Sequence, residues 1–211
     1  MLGYDLAHWA TFFAAAFLLN VSPGPDIAFI LGHTARGGRR QGLAAMFGLW
    51  AGAFCHVTFA AIGLSAIVAT SATAFSLVKW VGVAYLAFLG ISTLCSKASA
   101  FSIKTAQAES RLSAVFLQGM LVDILNPKVA IFFLAFLPQF VVEGAGPVPL
   151  QLLMHGVLII AVAALVEPLV VLGGAWLTTR LRASNRLALW LDRSLAALFL
   201  GLAAKLAALQ R

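Results

Sequence analysis

The sequence predicts an all-α membrane protein of six transmembrane helices, arranged as two inverted three-helix repeats with the first and fourth helices broken. Three observations lead there. Of 211 residues, 62% are hydrophobic and only 10% charged, whereas a soluble domain carries roughly 25% charged residues. The apolar residues fall into six runs, each able to supply the ~20 residues a helix needs to cross a bilayer. Two of those runs carry proline near their middle: Ser22-Pro23-Gly24-Pro25-Asp26 within residues 8–33, and Asn126-Pro127-Lys128 within residues 112–140. Proline removes a backbone donor and clashes with the preceding turn. The groups it frees are tolerated at membrane depth only against protein or a polar cavity. Interrupted helices at corresponding places in two halves point to a transporter's binding site.

The spans lie at about 9–33, 43–69, 75–95, 112–138, 150–176 and 190–209. Basic residues alternate between the gaps. Arg36, Arg39 and Arg40 occupy the first, Lys97, Lys104 and Arg111 the third, and Arg180, Arg182 and Arg186 the fifth. The second gap has no basic residue and the fourth has Glu143 as its only charge. Cytoplasmic loops hold the excess of Lys and Arg, so both termini are expected in the periplasm. No Lys or Arg precedes the first apolar run, which therefore reads as a retained span and not as a cleaved signal. A net charge of +7 with a pI near 10.1 would suggest nucleic acid as a partner if the charge formed one basic face. Spread between spans as membrane anchors, it excludes that class.

Residues 1–211 read as a single transmembrane domain: repeat one over about 1–95, a cytoplasmic linker over about 96–111, and repeat two over about 112–211. Pro25-Asp26-Ile27-Ala28-Phe29-Ile30 aligns with Pro127-Lys128-Val129-Ala130-Ile131-Phe132, and Phe88-Leu89-Gly90-Ile91 with Phe199-Leu200-Gly201-Leu202. With three spans in each half, equivalent helices cross in opposite directions.

Placing each span's midpoint at the bilayer centre gathers a polar set: Asn20, Ser22 and Asp26 from the first span, His56 from the second, Asp123, Asn126 and Lys128 from the fourth, and Glu167 (before Pro168) from the fifth. A charge at a helix centre costs about 2.5–3.5 kcal/mol on translocon scales, which makes each one a functional-site hypothesis. Asp26 and Lys128 hold equivalent places directly after the break prolines, with opposite sign. They are expected to pair across the pseudo-twofold axis, either as a gate or as fixed packing. Gly24 between two prolines permits unwinding. The half-helix from Pro25 would aim its positive end at a carboxylate, while unwound carbonyls receive an ammonium.

Asp26, His56, Asp123 and Glu167 are the proton-coupling candidates, with His56 equally readable as a neutral, hydrogen-bonded core residue. Cys55 and Cys95 read as small core residues. His8, His33 and His155 read as interface residues near span ends, and Trp9, Trp80, Trp176 and Trp190 as belt residues. Gly48-x-x-x-Gly52 is expected to pack helices within the subunit, with a homodimer face as the alternative. No spacing fits a zinc site, a Ser/His/Asp triad or a Walker loop. Neither a metal, a cofactor nor catalysis is expected.

Ser22-Pro23-Gly24-Pro25-Asp26, Gly37-Gly38-Arg39-Arg40-Gln41-Gly42-Leu43, Ala84-Tyr85-Leu86-Ala87-Phe88-Leu89-Gly90, Asn126-Pro127-Lys128 and the run Phe132-Phe133-Leu134-Ala135-Phe136-Leu137-Pro138-Gln139-Phe140 together resemble the lysine exporter superfamily, especially its homoserine/threonine exporter branch. The resemblance covers most of the chain and is looser over the last two spans. It implies a bacterial inner-membrane exporter of amino acids or close derivatives, driven by protons, with functional prolines at Pro23, Pro25 and Pro127. The expected site is then Asn20, Ser22, Pro23, Gly24, Pro25, Asp26, Asp123, Asn126, Pro127 and Lys128, between the first and fourth spans. Its partners would be the amino acid, protons and the bilayer. Two alternatives stay open: a metal or other inorganic-ion exporter, and an intramembrane enzyme.

Overall fold

The computed structural model describes residues 3–21, 24–64 and 111–174, with isolated residues 80, 81, 83, 84, 87, 88, 91, 193, 196, 197, 200, 201, 203, 204 and 207. Their regular structure is entirely helical: α1 (Leu6–Val21), α2 (Pro25–Phe59) running into a π-helical turn (Ala60–Leu64), α3 (Leu112–Ile124), α4 (Pro127–Phe136) with a 3-10 extension (Leu137–Phe140), and α5 (Val148–Leu172). The third and sixth predicted spans are described only at those isolated residues and the linker only at Arg111, while Ser22, Pro23, Cys95, Trp176 and Trp190 lie outside the described residues.

Asp5 starts α1, its Oδ1 accepting the His8 N–H at 2.7 Å, as an N-cap carboxylate does. α1 stops at Val21 before the first break, and α2 restarts with Pro25 in its first turn, where the missing N–H has no helical acceptor to serve. Drawn straight, the 35 residues of α2 would reach ~52 Å at 1.5 Å per residue, well beyond the ~30 Å hydrocarbon layer. The helix instead folds back at Gly37 (φ −117°, ψ 18°) and Gly38 (φ 66°, ψ −166°); the positive φ at Gly38 suits a residue without Cβ. As a result Ile30 and Leu31, before the turn, share a buried cluster with Met46 and Leu49 after it. The limb over 39–59 is ~31 Å long and can cross by itself. The expected loop around Arg36, Arg39 and Arg40 is therefore a two-residue turn, with the arginines in the flanking helical turns.

α3 and α4 meet at a break bent by 56°, and the second helical segment runs on to Phe140, the end of the apolar run. By length and composition the helix Pro25–Gly63 and α5 are each long and apolar enough to cross a membrane, and the bent α3–α4 pair makes a third where it counts as one span. Phe54, Phe59, Ile62, Leu165 and Leu169 point outward, more than half exposed. That apolar exterior suits a chain surrounded by lipid. The molecule is a multi-pass membrane protein.

Two buried clusters hold the helices together. One joins α1, α4 and α5 through Phe12, Leu19, Phe132, Phe136, Phe140 and Ile159. The other joins both limbs of α2 to α5 through Ile30, Leu49, Val170 and Val171. The second limb of α2 lies directly on the α3 backbone: a Cβ at Gly48 would strike the Phe116 carbonyl, and one at Gly119 would lie 2.7 Å from the Ala45 carbonyl. Gly48-x-x-x-Gly52 thus serves packing within the chain.

His155, expected near a span end, is packed between the starts of α1 and α5. It is 1% exposed, its Nδ1 2.8 Å from the Gln151 carbonyl and its Nε2 2.9 Å from His8 Nε2. A carbonyl only accepts, so Nδ1 carries the hydrogen, and in the neutral ring Nε2 then accepts from His8. Trp9 stacks on the His155 ring at 5.5 Å, and Tyr4 donates to Gln151 Oε1 at 2.8 Å. Together these side chains bind the start of α1 to α5. His33 is likewise buried, 3.5 Å from Gln41 Oε1 across the Gly37–Gly38 turn.

Candidate functional site

Each of the five helices contributes to one small cavity of about 40 Å³, whose walls include Asn20, Asp26, Trp50, Asp123, Phe133 and Glu167. Leu19 and Ile159 of the first cluster and Leu49 of the second also line it. The polar residues therefore sit where the two apolar clusters meet.

Asp26 occupies the first turn of α2 and Lys128 the first turn of α4. A carboxylate suits the positive end of a helix and an ammonium does not, so Lys128 needs a partner there. Asp26 supplies it, with Oδ2 3.8 Å from Nζ and both side chains less than 15% exposed. The pair rests against Gly24, whose backbone is extended; a Cβ there would strike Asp26 Oδ1 and lie 2.9 Å from Lys128 Nζ.

The second break is organised by two side chains. Asn126 Oδ1 accepts the Lys128 backbone N–H at 3.1 Å and caps α4. Pro127 cannot donate to the Asp123 carbonyl one turn back. That carbonyl instead accepts from the Asn126 N–H at 3.0 Å and from His56 Nε2 at 3.1 Å. The acceptor is a carbonyl, so Nε2 of His56 bears hydrogen. The imidazole, lying over Phe133 at 5.9 Å, reaches the main chain of Asp123 and leaves its carboxylate facing the cavity.

Glu167, 5% exposed, accepts from Trp50 Nε1 at 2.7 Å. Asn20 donates to the Ala16 carbonyl of its own helix at 2.8 Å. Trp50 is a site residue that is not among the sequence-based candidates. Its signal was position: the other four tryptophans lie near span ends, whereas Trp50 lies inside a span. Gly52 also belongs to the site, since a Cβ there would lie 2.6 Å from Asp123 Cβ. Ser22 and Pro23, expected here, are outside the described residues.

Four buried polar atoms at the breaks have no hydrogen-bond partner among the described residues: Asp26 Oδ1, Asp123 Oδ2, Asn126 Nδ2 and Lys128 Nζ. Each such group costs about 1–3 kcal/mol, and more when charged, so each calls for an explanation. A groove of about 550 Å³ opens beside the breaks, with Pro25, Phe29, Leu121, Leu125 and Asn126 in its wall. Among the described residues, no three His, Cys, Asp or Glu side chains are grouped to hold a metal ion.

Residues 17–210 match the family model of the LysE type translocator. Over 162 residues the chain is 32% identical to an uncharacterized membrane protein of Vibrio cholerae serotype O1, covering 77% of this chain and 78% of that one. It is 32% identical over 167 residues to a homoserine/homoserine lactone efflux protein of Salmonella typhimurium, covering 79% and 77%. It is also 32% identical over 135 residues to an uncharacterized membrane protein of Bacillus subtilis, YrhP, covering 60% and 64%. No solved structure matches the chain.

Proposed function

This chain belongs to the LysE type translocator family, and on that premise we propose that it exports small amino acids or close derivatives, of the threonine and homoserine kind, across a bacterial inner membrane in exchange for protons. One observation carries the reading: buried acceptors on Asp26 and Asp123 and a buried donor on Lys128 stand together at two helix breaks without hydrogen-bond partners among the described residues. An α-amino acid carries the complement, an ammonium for the two carboxylates and a carboxylate for Lys128. The broken-helix start at Pro127 adds its positive end on the carboxylate side. The name of the Salmonella relative supports the same substrate class.

Binding would compete with the Asp26–Lys128 pair: the ligand's carboxylate takes Lys128 and its ammonium takes Asp26. Asp123 and Glu167 face the same cavity and are the groups that would exchange protons as the cycle turns. The membrane potential contributes about 2.3 kcal/mol per charge per 100 mV, so inward proton flow drives a neutral zwitterion outward. The protein would work as one domain of two inverted halves, with six spans and both termini in the periplasm.

The test is transport in reconstituted vesicles. An imposed proton gradient should move threonine or homoserine, and Asp26→Asn should abolish the movement. If no amino acid exchanges while a divalent metal does, the ion-exporter reading replaces this one.

A further inference from the structure

We infer that His8 and His155 form the catch of an outer gate, which shuts the polar cavity from the periplasm and is fastened by a proton. The inference rests on the exporter reading above and on the orientation expected for the termini.

Along α1 and α5 the catch, an aromatic plug and the cavity follow one another. Ile159 and Glu167 of the cavity wall lie about one and three turns beyond His155, and Leu19 about three turns beyond His8. Between the two levels runs a line of rings. Phe12 is 4.9 Å from His155 and 5.2 Å from Phe140, which is 4.5 Å from Phe136, itself 4.2 Å from Phe132. These four phenylalanines are at most 1% exposed, and Phe133, next to the last of them, is in the cavity wall. A solute leaving on this side has to part α1 from α4 and α5.

Polar contacts hold that seam at its outer end. His8 Nε2 lies 2.9 Å from His155 Nε2, and Tyr4 donates to Gln151 Oε1 at 2.8 Å. Gln151 is itself fixed to the α4–α5 connection: it accepts the Val142 N–H and donates to the Val142 and Gly146 carbonyls. The start of α1 is thus tied to a fixed frame.

The pair responds to protons through its geometry. Neutral His155 spends its Nδ1–H on the Gln151 carbonyl and offers Nε2 to His8 as an acceptor. A proton added to the half-buried His8 keeps the donor in place and makes the bond charge-assisted, roughly twice as strong. Only a second proton, on His155 Nε2, would set N–H against N–H. Among the described residues packed here, the preceding segment presents Tyr4 and Asp5, whose Oδ1 accepts the His8 backbone N–H. The α4 extension presents Phe140, α5 presents Gln151 and His155, and Glu143 is exposed on the connection. Asp5 favours a cation on His8. Acid outside therefore fastens the gate, as suits an antiporter that has taken up its external proton and turns inward.

Ala163 lines the cavity. Ala163→Cys, with Cys55→Ser and Cys95→Ser, reports its opening to an impermeant thiol reagent in right-side-out vesicles. His8→Gln keeps an amide N–H for His155 and does not titrate, whereas His8→Phe keeps a ring without the donor. From outside, the His8→Phe variant should label about two- to tenfold faster than the His8→Gln variant. Between pH 8 and pH 6 the rate with His8 present, divided by that of His8→Gln at the same pH, should fall about two- to tenfold. The division cancels the titration of the thiol itself. Tyr4→Phe, which loses the bond to Gln151, should also speed labelling and keeps the catch testable if His8→Phe does not fold. Unchanged labelling in whichever of these variants folds overturns the catch, and a ratio flat with pH overturns its proton. Acceleration seen only with reagent on the cytoplasmic side overturns the outer gate. Labelling requires no amino acid exchange, so failure of the exporter reading shows separately, in the transport assay.

Discussion

Lys128 Nζ stands 3.8 Å from Asp26 Oδ2, joining the first turns of two helices that each begin at a proline break. Charge-assisted hydrogen bonds of this type close to about 2.7–2.9 Å, so the pair is loose. It neutralises both charges yet leaves Nζ and the Asp26 Oδ1 without a hydrogen bond among the described residues. Removing one partner strands the other in the protein interior, a loss of about 3–5 kcal/mol for fully buried pairs. Asp26→Asn and Lys128→Met should each reduce folded protein more than the double variant does. Thermal unfolding in detergent measures this; effects that simply add would show that the two charges do not depend on each other.

Local features were the ones legible in the sequence. Both helix interruptions were readable because proline acts on its own turn. The Asp26–Lys128 meeting was readable because a repeat alignment put both residues at one equivalent position. The turn at Gly37–Gly38 reads as a loop in the sequence because three arginines dominate its composition, although two glycines are enough to reverse the chain. The Trp50–Glu167 bond and the His8–His155 contact join residues more than a hundred positions apart. No periodicity along one helix carries such pairs; only the packing of α2 and α1 on α5 creates them.

His56 should act through its hydrogen bond to the broken helix. Its Nε2–H holds the Asp123 carbonyl that Pro127 leaves without its usual helical donor. Gln carries an amide N–H able to take over that bond, and Phe carries none. His56→Phe should lose about 0.5–1.5 kcal/mol of stability, since the Asp123 carbonyl keeps the Asn126 N–H, with a matching fall in transport, while His56→Gln should stay near wild type in both. A folded Gln variant that exchanges substrate but no longer responds to a proton gradient would identify the imidazole as a proton carrier instead.

Gly52 should tolerate no side chain. An added Cβ would lie 2.6 Å from Asp123 Cβ and 2.7 Å from the Met120 carbonyl, so α2 would have to move away from α3 just where Asp123 faces the cavity. Gly52→Ala should cost about 1–3 kcal/mol by overpacking and lower transport beyond the loss of folded protein. Gly63→Ala is the control, since its Cβ would meet nothing within 4 Å. Equal melting temperatures for the two variants would contradict the close approach.

Trp50 and Glu167 separate folding from coupling. Trp50 Nε1 donates to Glu167 Oε2 at 2.7 Å, and the carboxyl group is 5% exposed. Trp50→Phe removes the donor and leaves that group buried without it, an expected loss of about 1–3 kcal/mol. Glu167→Gln behaves differently: its amide oxygen still accepts from Trp50, but the group no longer exchanges a proton. The Gln variant should fold with wild-type stability and continue to exchange labelled for unlabelled amino acid, because that process moves no net proton. It should fail to concentrate substrate when a proton gradient is imposed. A Gln variant that accumulates substrate as well as wild type would remove Glu167 from the coupling pathway and leave Asp26 and Asp123 as the carboxylates to examine.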